Sequence, residues 1–319
     1  MLFHKFALPA VAAALAIHPR EEISSCSSPV VRQEWRSLKA ADRNAYIDAI
    51  HCLASKPSIL GLNTTRLDDF AYVHNAIRID IHFVASFLPW HRYFLHTYEQ
   101  ALKDCGYGGV AAYWDWTLDS TDPASSSIWD ANTGLGGDGS PNKTEVVGLS
   151  TMRCVVDGPF NNLRPSYMSD SFAPHCLSRS FNDGTEKPGK MLGINYSPES
   201  VATIHALSNY NEFRQQLESI PHGAIHASTG GDMSPPTAPN DPLFFLHHAQ
   251  VDRLWYLWQQ EDPEKRTFEF GGIRTKDKKD GVTPPPAALE DIMRMNGLAK
   301  DIPIRDIMST QSNLLCYTY

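Results

Sequence analysis

Thirteen histidines are spread unevenly along this chain, and their grouping is the feature most able to do chemistry. His74, His82 and His91 share one stretch, His222 and His226 form an H-x3-H pair, and His247–His248 follow downstream. A single histidine is usually a surface or hydrogen-bonded residue, but two sets of imidazoles suit a pair of metal ions in a helical core. Residues four apart lie on one face of a helix, so His222 and His226 can reach the same ion. Imidazole donors admit copper, zinc, iron or nickel. No cysteine lies within the clusters, which argues against a blue-copper or zinc-finger site, and the ExxH pairs of carboxylate-bridged di-iron proteins are missing. His51, His96, His175 and His205 fall outside the groups and read as structural.

These side chains need a helical frame. Val30 to Leu53 reads as a first helix, with Trp35, Leu38, Tyr46, Ile47 and Ile50 mostly on one face. A second helix is expected to begin at Pro89, run through Trp90–Leu102 and stop at Gly106. His82 lies nine residues before His91 and would face the other way on one unbroken helix. A break at Phe87-Leu88-Pro89 lets it fold back. From Thr117 to about Pro198, Gly, Ser, Asn, Asp and Pro dominate; such a length implies short elements, tied by Cys154 and Cys176. Helical character returns over Pro198–Ile220 and Pro242–Gln260, the latter capped from Asn240–Asp241. Residues 262–290 are charged and Pro-rich, hence a surface loop. No repeat or linker divides the chain.

A formal net charge of -8 argues against nucleic acid or anionic membrane as a partner. Beyond the N-terminus no apolar run is long enough to span a bilayer. Lys5 followed by the small, apolar stretch Phe6–Ile17 reads as a signal peptide over residues 1–24, leaving a single catalytic domain over 25–319 and a secreted protein. Acceptor sequons at Asn63, Asn142 and Asn195 agree with export. So do six cysteines without a CxxC pair, which suit a disulfide framework.

Two stretches carry a specific resemblance. Phe87-Leu88-Pro89-Trp90-His91-Arg92-Tyr93-Phe94 and the run from Asn240 through His247-His248 to Asp252-Arg253-Leu254-Trp255 look like the two copper signatures of the tyrosinase/catechol oxidase family. Cys105-Gly106-Tyr107, Tyr113-Trp114-Asp115-Trp116 and Gly136-Gly137-Asp138-Gly139 extend the likeness toward short secreted fungal members. The resemblance implies a mainly α fold, an antiparallel four-helix bundle core holding two copper ions, with long loops and few short strands. It assigns His74, His82 and His91 to one copper, and His222, His226 and His248 to the other, leaving His247 in the pocket or behind the ligands. Spacing alone does not choose between His247 and His248.

The family pattern also gives Glu218 the role of holding a water near the metals, where it can serve as a base. Gly223 stands where many members strong in monophenol hydroxylation have asparagine, tilting the expectation toward diphenols. Asp80 replaces the cysteine that in many members is bonded to the second histidine, so no such thioether can form. Tyr317-Thr318-Tyr319 resembles the family's closing Tyr-x-Tyr motif, with Arg32 as its partner, and no plug domain is expected. That pairing implies Cys26–Cys316, while the helix ends suggest Cys52–Cys105 and the middle segment Cys154–Cys176. Phe244 and the Met233–Pro236 loop are candidates for the substrate entry. The expected reaction is oxidation of a small phenolic substrate by O2: o-diphenols, with monophenols or o-aminophenols as further candidates, to o-quinones. Its rivals are a tailoring oxidase for a specialised metabolite or peptide-bound tyrosine, a haemocyanin-like oxygen carrier and, more distantly, a dizinc hydrolase.

Overall fold

The computed structural model describes residues 26–183, 189–276 and 281–319; the expected signal peptide lies outside them. As expected, the architecture is mainly α. The first half supplies α1 (Ala40–Ser55), α2 (Arg66–Ala76), α3 (Arg78–Ile81) and α4 (Phe87–Asp104). The second supplies α5 (Pro198–His205), α6 (Tyr210–Leu217), α7 (Gly223–Thr229), α8 (Leu243–Gln260) and α9 (Pro263–Arg266). No helix among the described residues is long and apolar enough to cross a membrane.

Local sequence explains where the main helices start and stop. Thr65 and Asp68 form a reciprocal capping box that opens α2. The Asp241 carboxylate accepts the Leu243 N–H and so opens α8. Gly106, at φ +87°, follows Cys105 and ends α4. Helices α4 and α8 pack against each other through the core, where Trp90, Phe94, Phe245 and Trp255 are fully buried. Full burial of a large apolar side chain contributes roughly 1.5–3 kcal/mol.

Three helix expectations need correction. Residues 30–34 are extended: β1 (Val30–Val31) pairs in parallel with the closing strand Tyr317–Thr318, and β2 (Gln33–Glu34) pairs in parallel with β3 (Ala112–Tyr113). A pairing with distant chain thus overrides local helix pattern, and α1 starts only at Ala40. The break after α3 comes at residues 82–86, where Phe83 takes φ +59°, and α4 begins before Pro89. Proline is tolerated there because first-turn N–H groups have no partner inside a helix. The stretch 198–220 is two helices, with Asn209 capping α6 through the Glu212 N–H. After α6 a single π-helical turn, Glu218–His222, carries Pro221.

The irregular middle segment holds an antiparallel hairpin, β4 (Gly139–Val147) with β5 (Ser150–Val155), and the small pair β6 (Tyr167–Met168) with β7 (Ser171–Phe172). Later, β8 (Ile292–Met293) pairs with β9 (Ile302–Pro303), and Tyr317–Thr318 is β10. The disulfides are Cys26–Cys316, Cys52–Cys105 and Cys154–Cys176, the pairing expected.

Candidate metal centre

Seven imidazoles gather where α2, α4, α7 and α8 meet. His74 closes α2, His82 follows α3 and His91 lies near the start of α4. His222 ends the π turn, His226 sits in α7, and His247 and His248 lie in α8. One nitrogen from each of His74, His82 and His91 lies within 4.8 Å of the others. The same holds for His222, His226, His247 and His248. The two groups touch: the His91 and His248 rings stack with centroids 4.4 Å apart and planes 12° apart.

The hydrogen bonds behind the rings decide which nitrogen faces inward. Nδ1 of His82, His91 and His222 meets the carbonyl four residues earlier, of Arg78 (3.1 Å), Phe87 (2.7 Å) and Glu218 (2.9 Å). Nδ1 of His74 meets the Pro236 carbonyl at 2.5 Å, and that of His226 meets the Met233 carbonyl at 2.6 Å. A carbonyl only accepts, so Nδ1 carries the proton and Nε2 is left with a lone pair. The Nε2 atoms of His74 and His91 then face each other at 3.3 Å with no proton between them. Nε2 of His222 and of His248 is buried without a protein partner. Lone pairs converging in a buried space call for a cation.

Protonation supports the same use. Burial pushes the pKa of His74, His91, His222, His247 and His248 well below the ordinary value, and that of His82 and His226 down to about 4, so all seven are neutral at physiological pH. Neutral imidazoles are the form that binds metal. The donor set, all nitrogen and in two adjoining groups, fits two copper ions.

Glu218 is buried rather than a solvated helix end. One oxygen accepts the Phe83 N–H at 2.6 Å and the other pairs with Arg214 at 2.9 Å. Burial raises its pKa to about 7 against the opposing pull of that N–H and of Arg214. Gly223 is partly exposed, and a Cβ there would meet only the Glu218 carbonyl, at 3.5 Å. Asp80 is exposed, with Oδ1 3.4 Å from the Thr275 hydroxyl.

Phe244 is not at the entry. It is fully buried, its ring 4.1 Å from His248 and 5.1 Å from His74 by centroid, because the turn of α8 that points His248 inward points Phe244 inward too. Met233 is buried as well, and its carbonyl serves His226. Around the centre, His82 and His226 are partly exposed, and Phe83, Ala227 and Ser234 are exposed. Sequence reasoning missed Phe83 because only its left-handed backbone, following a histidine, brings its N–H to Glu218.

A model of the common central domain of tyrosinase matches residues 64–261. The chain is 44% identical over 295 residues to tyrosinase ustQ of Aspergillus flavus, covering 92% of this chain and 80% of that one. It is 30% identical over 371 residues to the N-acetyl-6-hydroxytryptophan oxidase ivoB of Emericella nidulans, covering 98% of each. The structure resembles that of a polyphenol oxidase variant from Thermothelomyces thermophila, with a TM-score of 0.75, 30% identity, and 91% and 88% of the two chains covered. With two adjoining imidazole groups at its centre, the chain belongs to the tyrosinase family and is a copper oxidase of the dinuclear type 3 class.

Proposed function

We propose that this protein uses O2 to oxidise o-diphenols to o-quinones, with His74, His82 and His91 holding one copper and His222, His226 and His248 the other. The observation that carries the reading is the set of inward, unprotonated Nε2 atoms. When bound, the copper pair supplies a two-electron oxidant drawn from O2. Each diphenol gives up two electrons and two protons, so two substrate molecules reduce one O2 to water.

The remaining work belongs to the chain. Backbone carbonyls hold five imidazoles in one tautomer, which fixes the ligand geometry before substrate arrives. Substrate enters beside Phe83, Gly223 and Ala227. Glu218 lies behind Gly223, and its carboxylate, or a water held against it, accepts the phenolic proton. The buried aromatic Phe244 keeps water from the inner faces of the rings.

A second reading concerns substrate range: the natural substrate is one hydroxylated aromatic, free or peptide-bound, on which the enzyme acts as a tailoring oxidase. The relative named as an N-acetyl-6-hydroxytryptophan oxidase supports it. The test is O2 consumption by copper-loaded protein on catechols, simple phenols, o-aminophenols and tyrosyl peptides, alongside metal analysis. Two coppers per chain and turnover of catechols are expected. Turnover restricted to one elaborate phenol selects the second reading. Reversible O2 binding without turnover, or a zinc protein, overturns both.

A further inference from the structure

Three of the anchored rings lean on their own local backbone, but His74 and His226 do not. Both lean on the loop of residues 230–240 between α7 and α8, through the carbonyls of Pro236 and Met233. That one loop therefore orients a ring in each imidazole group, and something must hold it still. Asp232, fully buried within it, accepts four hydrogen bonds: from the Ser178 N–H and hydroxyl, from the Asn240 amide at 3.0 Å, and from Nε2 of His175 at 2.9 Å. Asn240 closes the loop and also donates to the Tyr167 carbonyl. The other nitrogen of His175 lies 2.6 Å from the Ala173 carbonyl.

We propose that His175 is a positioning residue for the copper centre: donating from both ring nitrogens, it locks Asp232 to the 173–178 segment and so fixes the loop whose carbonyls orient His74 and His226. The geometry requires two donors, since neither a backbone carbonyl nor a carboxylate oxygen can supply a proton. A neutral ring would turn a lone pair on one of the two. Burial works against the charged ring, but Asp232, the Ala173 carbonyl and Glu145 on β4 outweigh it and raise the pKa above the ordinary histidine value. Other charges nearby are already paired: Arg164 with Glu145, and Arg179 with Asp241. The lock therefore holds below the raised pKa and loosens as pH rises through it.

The inference rests on His74 and His226 being copper ligands. The experiment follows copper release to a chelator from holoprotein between pH 6 and 9, in the wild type, His175→Gln and His175→Ala. Wild-type release should quicken as the ring loses a proton. Both variants should release copper about tenfold faster at the acid end, the low end of the usual effect of residues behind metal ligands, with the alkaline rise gone. A lower Tm with unchanged release and an unchanged pH profile would mean a structural role only and overturns the proposal. Should neither variant fold, ring nitrogen NMR of the wild type decides: a singly protonated His175 at the acid end of that range, or copper release indifferent to its titration, overturns it. A wild type that binds no copper brings down the ligand assignment as well, whereas two firmly held coppers indifferent to His175 bring down this inference alone.

Discussion

His247 and His248 are neighbours in α8, both fully buried, and neither has a ring nitrogen bonded to protein. Their surroundings separate them. The His248 ring stacks on His91 of the other group, while the His247 ring, 5.0 Å from His226 and 5.4 Å from His222 by centroid, has Trp116 on its other side, 6.4 Å away. His248→Ala should therefore lower bound copper to about one ion per chain, because an ion short of one of three imidazoles is weakly held, while His247→Ala keeps two; metal analysis reversing that order would exchange the roles. Gly223 offers a second residue-level test. An Asn side chain there has room and can orient a water against Glu218, so Gly223→Asn should raise monophenol hydroxylation relative to diphenol oxidation. Glu218→Gln should depress the monophenol rate more, by up to the ~10²–10⁴-fold that positioned bases contribute. Both ratios are read at equal copper content, and a ratio unmoved in both variants means that substrate entry sets the preference.

At the scale of elements, α4 and α8 are bolted together by charge. Asp252 on α8 binds Arg92 of α4 at 2.6 Å and Arg32 of the N-terminal segment at 3.2 Å, and it accepts the hydroxyls of Tyr317 and Tyr319. Arg32 also pairs with Glu99 of α4 and covers the Tyr317 ring at 3.5 Å. Removing the acid leaves the buried Arg92 guanidinium without a carboxylate and Arg32 with Glu99 alone, so Asp252→Ala should cost about 3–5 kcal/mol in chemical denaturation, far more than loss of an exposed pair. Burial raises the Asp252 pKa, but the two arginines and two tyrosines outweigh it and hold it below the ordinary value. Its contribution is thus complete above the unfolded-state pKa and is lost as pH falls through the lower folded value. Acid unfolding of the wild type should show a proton-uptake step in that range that Asp252→Asn lacks.

Across the whole molecule, Cys26–Cys316 joins the two ends of the described chain beside the β1–β10 pair, while the imidazoles sit among the central helices. Opening it with a Cys26→Ser/Cys316→Ser double variant should lower stability by about 2–4 kcal/mol, because the unfolded chain regains freedom. Copper content at moderate temperature should stay near two per chain; copper lost together with the disulfide would show that the ends are coupled to the centre. The sequence by itself determined the donor types, the two groupings and the rings anchored close by. His91 finds its carbonyl four residues back inside α4, a contact that helical periodicity dictates, and His82 and His222 meet a carbonyl at the same spacing. The capping residue of α8 and the punctuation that ends α4 are legible for the same local reason. Tertiary structure alone decided that residues 30–34 extend, that Glu218 is buried against Phe83 and Arg214, and that Phe244 is sealed inside. It also decided that His74 takes its orientation from Pro236 and that His175 holds Asp232. These contacts join residues far apart in the chain, where no periodicity links the partners, and only the packed fold sets their distance.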